Sequence, residues 1–407
     1  MGRALRWVAL GLIVTLLIAA GVAVGLQLNR RVPAPALRAE IASSVVVPGT
    51  ATPLPLPASG QAALYLPGFG WLGSSPAEVP VPIASVTKIV TALIVLKAYP
   101  LSLGEAGPEV TVSASDVALY QSELEQGDSV VPVQVGESLS ELQLLEGLLL
   151  PSGDNLAVLL ADWVAGSEPS FVERMNQLAT TLHLTDTHFA DSSGLDSGSE
   201  SSARDLVSLT ILAMANPVFG ATVDMPEVIL PVAGTVHNYN PLLGQDGVVG
   251  VKTGWTVASL GCLVFAADTE VDGQKVQLIG AVLGQPGGPA GGLLEAARVT
   301  SALLAAAEPQ LHSVSLAAPA QAVARVTSAW AKTISVVPTR TISLIALAGA
   351  HLHWRLRARL PHLPFASRST VGTLRLTTPD GSTVVEPVVA DRGLKQPSLW
   401  WRLTRRW

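Results

Sequence analysis

The sequence predicts an α+β catalytic domain of the αβα sandwich type, preceded by one apolar helix and followed by a small all-β domain. Three observations predict it. Trp7 to Leu26 is a run of twenty residues without a charge. Between about 61 and 300, segments with helical spacing are segregated from buried strand-like runs, which is the pattern of a layered α+β fold. Beyond 312 the strand-like runs dominate and turn signals separate them. A chain of 407 residues has room for this, at roughly 100–200 residues per domain.

The first element, residues 1–28, is read as a transmembrane anchor. At about 1.5 Å per residue, the uncharged run matches the roughly 30 Å apolar core of a bilayer. A signal segment is the alternative, with Ala23-Val24-Gly25 as a small-x-small cleavage site. Arg3 and Arg6 precede the run and Arg30 and Arg31 follow it, so charge alone does not orient it. Residues 29–60 are rich in Pro and small residues, which predicts a semi-extended linker.

Within 61–300, Ala62 to Leu66 reads as a strand and Ser85 to Tyr99 as a largely buried helix. Ser138 to Leu150 and Asn155 to Ala165 carry helical spacing, with Ser152 in the turn between them. Ser201-Ser-Ala-Arg-Asp opens another helix with cap-type residues. Gly261 to Ala267 and Val276 to Leu283 read as buried strands. In the β domain, 312–392, strands are predicted at 333–337, 341–345, 372–377 and 382–389. Thr378-Pro-Asp-Gly381 is a hairpin signal between the last two. Residues 393–407 form a Trp- and Arg-rich tail.

Composition excludes several function classes. A net charge of −6 shows no large basic excess, which disfavours nucleic acid as a partner. The single cysteine, Cys262, rules out an intramolecular disulfide or a cysteine metal cage, and its apolar surroundings predict a buried inert thiol. The seven histidines show no metal-ligand spacing, so a zinc peptidase is disfavoured and no metal or other cofactor is expected.

Three short motifs carry the chemistry. In Ile83-Ala-Ser85-Val-Thr-Lys88, residues three apart on a helix share a face, so the amine can meet the hydroxyl. A serine needs such a neighbouring base to become a nucleophile. The chain has only six lysines, which makes this spacing less easily met by chance. Leu149-Leu-Pro-Ser152-Gly-Asp154-Asn155 is a tight turn between two apolar helices. Val251-Lys252-Thr253-Gly254-Trp255 sets a cation, a hydroxyl and a glycine on a strand edge, an arrangement suited to holding a carboxylate at close backbone approach. Each motif alone is weak, and a capped loop or a solvated lysine would explain it. The ordered set S-x-x-K, S-D-N and K-T-G is shared by class A β-lactamases and penicillin-binding proteins.

With these motifs the chain resembles the low-molecular-mass penicillin-binding proteins, the D-alanyl-D-alanine carboxypeptidases of peptidase family S11. The blocks Val135-Gly-Glu137, His188 to Asp196 and His237-Asn238-Tyr-Asn240 extend the resemblance over about 60–285. Thr370 to Val389 is more loosely similar to the end of the family's C-terminal β domain. The resemblance implies a transpeptidase/β-lactamase-like αβα domain with a trailing β domain. It implies that Ser85 forms an acyl-enzyme, that Lys88 is its base, and that Ser152 relays a proton to the leaving D-alanine. Lys252 and Thr253 would hold the terminal carboxylate, Gly254 would leave room for the substrate strand, and Ser85 and Trp255 would supply oxyanion N–H groups. The implied partners are stem pentapeptides ending in D-Ala-D-Ala, β-lactams as inhibitors, and a membrane, with catalysis on its outer side. The family's second motif ends in Asn where this chain has Asp154. A carboxylate only accepts hydrogen bonds, so the donor role passes to Asn155 or is lost, and Asp154 is free to pair with Lys88 or Lys252. A serine β-lactamase and a catalytically weakened wall-binding relative remain the alternatives.

Three further features stand outside the motifs. His237 is read as a structural polar contact rather than a catalytic group. His351 to Leu360 alternates strictly, placing two His and three Arg on one strand face, either solvated or against anionic polymer or lipid. The tail Leu399 to Trp407 has the Trp and Arg content of a membrane interface.

Overall fold

The computed structural model describes residues 2–76, 78–379 and 381–406. It divides into two compact units, one of Val47–Ser313 with Ile345–Ala350, the other of Met1–Val46, Val314–Leu344 and His351–Trp407.

In the larger unit, five antiparallel strands run in the order Val248–Thr256, Leu260–Val271, Gln274–Gln285, Gln61–Leu66 and Gly70–Ser74. The second of these is buried without a break from Gly261 to Ala267. Residues alternate between faces along a strand, so both faces of the sheet are covered. Helices Ala203–Met214 and Gly288–Ala307 pack on the sheet, and Glu141–Leu149, Asp154–Ala165 and Glu168–Thr181 pack against Lys88–Ala98. The predicted αβα architecture is therefore present.

Element edges differ from the sequence reading where hydrogen bonding decides them. Ser138–Ser140 is a short strand, and the helix starts at Glu141. Ser140 Oγ accepts from Gln143 N while Gln143 Oε1 accepts from Ser140 N, a capping box that fixes the start. The segment from Ser85 opens as a 3₁₀ turn, Ala84–Thr87, before the α-helix Lys88–Ala98. Cys262 is fully buried, its thiol donates to Ser259 O, and burial pushes it up to about 11.

In the smaller unit, seven antiparallel strands run in the order Ala36–Ala39, Ala324–Ser328, Ala331–Pro338, Thr383–Ala390, Thr370–Thr377, His351–Ala358 and Ser44–Val46. Two of these strands come from the stretch read as a linker. The linker reading of 29–60 is corrected there, because sheet edges at 324–328 and 351–358 offer ladder partners that composition does not reveal. His351–Ala358 alternates as expected, with Leu352 and Trp354 buried and His351, His353, Arg355 and Arg357 exposed. Asp380, in the expected hairpin turn, lies outside the described residues. Gly2–Asn29 forms one helix, and Ala4–Asn29 within it is 26 residues and apolar enough to cross a membrane.

One buried charge in the larger unit makes stability pH-dependent. Glu141 is wholly buried, neither carboxylate oxygen has a hydrogen-bond partner among the described residues, and burial pushes its pKa from 4.5 up to about 7. A raised carboxyl favours the fold while both states are protonated. That contribution is lost as pH climbs from the unfolded value through about 7. Glu141→Gln does not titrate, so its stability relative to wild type is expected to rise by about 1–3 kcal/mol between acid and mildly alkaline pH. Denaturant midpoints of the two proteins at both pH values check this, and an unchanged difference would count against it.

Candidate active site

Ser85 lies on the 3₁₀ turn Ala84–Thr87, three residues before Lys88, which opens the following buried helix. Lys88 is completely buried, and its Nζ has three partners: Ser85 Oγ at 2.9 Å, Asp154 Oδ1 at 2.5 Å and Ser193 O at 3.0 Å. That set uses all three donors of an ammonium. When the amine is neutral, its lone pair faces the Ser85 hydroxyl while two N–H groups stay on Asp154 and Ser193. The geometry thus suits an amine that takes a proton from Ser85.

The second motif supplies Asp154 and Ser152. Asp154 is buried, and its other oxygen accepts from Ser129 N at 3.0 Å. Its backbone N in turn donates to Ser129 O at 2.7 Å, so the carboxylate is held toward Lys88 from two sides. Ser152 has φ +68°, a left-handed conformation that a non-glycine residue adopts only at a cost. Its buried Oγ has no hydrogen-bond partner among the described residues, and it lines the same cleft as Ser85. Such a hydroxyl is available to a substrate.

Asn155 requires a correction. Its Oδ1 accepts from Val131 N at 2.9 Å and its Nδ2 donates to Val131 O at 3.0 Å. Both ends of the amide are spent clamping the Val131 backbone, and the residue does not line the cleft. It cannot replace the donor that Asp154 lacks, so its assignment to substrate binding is withdrawn.

The third motif forms the strand Val248–Thr256 at the edge of the five-stranded sheet. A Cβ on Gly254 would stand 2.9 Å from Ile83 O and 3.1 Å from Ser85 N. Only a glycine lets this strand pass so close to the nucleophile. Thr253, Gly254 and Trp255 line a cleft of about 610 Å³ together with Ser85, Ser152 and Asp154. Lys252, the residue before them, is buried and does not itself line the cleft; it donates to Thr253 O at 3.2 Å, and its pKa is driven well below the ordinary lysine value, first by burial and then by Lys88, with Asp154 opposing.

Two contributors escaped the sequence reading. The Ser193 carbonyl reaches Lys88 because Asp191 gathers its own loop, accepting from Gly194 N and Leu195 N at 2.8 Å and from Ser193 Oγ at 2.7 Å. The block His188 to Asp196 was visible as a resemblance, yet nothing in its residue types announces a backbone acceptor. Glu123 is the other. It is buried near Asp154, and burial followed by the charges of Asp154 and Asp128 pushes it up to about 7. His237, by contrast, is an exposed partner of Glu227 at 3.1 Å, which fits the structural role expected for it.

Comparison with known proteins adds an independent line. Residues 72–287 match peptidase family S11, described as D-alanyl-D-alanine carboxypeptidase. The chain belongs to this family. It is 36% identical over 193 residues to the D-alanyl-D-alanine carboxypeptidase DacB2 of Mycobacterium tuberculosis, across 46% of this chain and 62% of that protein. It is also 36% identical over 206 residues to DacD of Escherichia coli, across 49% of this chain and 51% of DacD. The matched stretch thus spans half to under two thirds of these relatives. Among solved structures, the Streptomyces K15 DD-transpeptidase superposes with a TM-score of 0.54 at 30% identity, covering 62% of this chain and all of that one. A peptidoglycan synthesis regulatory factor (PBP3) from Streptococcus pneumoniae shares the fold over 84% of this chain and all of that one, with a TM-score of 0.63 at 21% identity.

Proposed function

We propose that this chain is a serine-type D-alanyl-D-alanine carboxypeptidase. It removes the terminal D-alanine from peptidoglycan stem pentapeptides, held by its N-terminal helix at the outer side of the cell membrane. The observation that carries the reading is the buried Lys88 Nζ in hydrogen-bond contact with both Ser85 Oγ and Asp154. Ser85 Oγ attacks the carbonyl of the penultimate D-alanine and passes its proton to Lys88. The C–N bond then breaks as the leaving nitrogen gains a proton through Ser152, and water hydrolyses the resulting ester. Lys252 and Thr253 take the terminal carboxylate. Backbone N–H groups at Ser85 and Trp255 stabilise the oxyanion, an interaction worth about 10²–10³ in rate per donor. β-Lactams enter the same cleft and acylate Ser85. Release of D-alanine from diacetyl-Lys-D-Ala-D-Ala tests the reading, beside a Ser85→Ala control; release no greater than the control would sink it.

The proposal carries a pH signature. Lys252 pairs with a carboxylate only when protonated, and burial with Lys88 lowers its proton affinity. The alkaline fall of kcat/KM is therefore expected well below pH 10.5, the ordinary lysine value. In Lys252→Arg, whose guanidinium stays charged, that limb is expected to move to higher pH even though overall activity drops. A pH profile with an unmoved limb would assign the titration to another group.

A further inference from the structure

The N-terminal helix Gly2–Asn29 meets the C-terminal helix Leu399–Thr404 within the smaller unit. Gln27 Nε2 donates to Arg405 O at 2.8 Å, and the Arg405 guanidinium donates to Arg30 O at 2.7 Å and Arg31 O at 3.1 Å. Arg402 donates to Leu28 O, and Arg405 also lies over the Trp401 ring. Five arginines, at 30, 31, 402, 405 and 406, thereby collect at the end of the uncharged run. The crowding registers on Arg405, whose pKa is lowered by burial and then by Arg30 and Arg402.

Two donors and one acceptor in this junction are buried and without partners among the described residues: Arg402 Nε, Arg405 Nε and Gln27 Oε1. Gln27 is only 6% exposed. It lines a cavity of about 390 Å³ with Thr404, Arg405 and Arg406. Unmet buried donors are costly, and guanidinium N–H groups match phosphate oxygens best. Around the cavity the surface is apolar: Leu399 and Trp400 are exposed, as is the helix up to Leu26. An anion with apolar tails and a hydroxyl to give Gln27 matches the two unmet groups on this cavity, Arg405 Nε and Gln27 Oε1, and the apolar surface around it. We infer that the junction of the two helices binds the headgroup of an anionic, hydroxylated phospholipid, its phosphodiester accepting from Arg405 and its hydroxyl donating to Gln27. The inference rests on the reading of Gly2–Asn29 as a membrane span.

The full chain in nanodiscs of phosphatidylcholine with about one fifth phosphatidylglycerol tests it, with the retained lipid counted by native mass spectrometry. Wild type is expected to retain phosphatidylglycerol over phosphatidylcholine by about tenfold relative to the bulk ratio. Arg402→Gln/Arg405→Gln is expected to fall below about twofold while still labelling with penicillin. Arg402→Lys/Arg405→Lys keeps both charges but loses the Nε donors, and its preference is expected to fall as well. A wild-type preference in the lysine variant, equal retention of both lipids by wild type, or displacement by millimolar inorganic phosphate would overturn the site. Release of the chain from the bilayer by alkaline carbonate would overturn the membrane span and the lipid site together. A chain that stays inserted without lipid preference overturns the site alone.

Discussion

Lys88→Met is expected to slow acylation of Ser85 by about 10³–10⁵, the range for removing a base that works as a unit with its nucleophile. Lys88 Nζ is 2.9 Å from Ser85 Oγ. Among the described residues no other amine or imidazole has a hydrogen bond to that oxygen. Methionine fills a similar volume, so the packing around the helix Lys88–Ala98 is kept. The complication is Asp154, left buried without its cation, which costs about 3–5 kcal/mol in comparable pairs. The double variant Lys88→Met/Asp154→Asn removes that penalty. If it folds with wild-type circular dichroism and still acylates slowly, the loss belongs to the base. Acylation within about tenfold of wild type in either variant would mean that Ser85 has another base.

Asp154→Asn is the second large effect, and its expected direction is upward. Asp154 Oδ1 sits 2.5 Å from Lys88 Nζ, and its other oxygen is fixed by Ser129 N. A carboxylate there can only accept, so it offers no donor to a substrate carbonyl. Asparagine keeps the shape and presents an amide N–H that a substrate carbonyl can accept. One added hydrogen bond in the transition state is worth about 1–2 kcal/mol, so acylation is expected to rise about tenfold. Stability is expected to fall by about 3–5 kcal/mol, because the asparagine leaves Lys88 without a counter-charge. Stopped-flow acylation and a denaturation midpoint check the two parts. A fall of more than tenfold in acylation would instead make Asp154 an obligatory proton acceptor behind Lys88.

Much of this site was legible because its chemistry is local. Ser85 and Lys88 are one helical turn apart, and Lys252 to Trp255 are consecutive on one strand, so spacing alone states what they can touch. The order of layers was legible for a related reason: the buried run Gly261 to Ala267 and the apolar helices have the periods their environments demand. What could not be read is what depends on distant partners. Asn155 stands next to Asp154, yet Val131 claims both ends of its amide. The strands Ala36–Ala39 and Ser44–Val46 lie in Pro-rich sequence and exist only because sheet edges nearly three hundred residues away accept them. Backbone acceptors such as Ser193 O leave no trace in composition.

The central claim is that Ser85 is the nucleophile, and adduct mapping tests it most directly. The full chain is incubated with a labelled penicillin, digested, and the modified peptide sequenced by mass spectrometry. The account predicts about one label per chain, carried on Ser85, and none in Ser85→Ala. A label on another residue, a label that survives Ser85→Ala, or no label on the folded wild-type protein would contradict it.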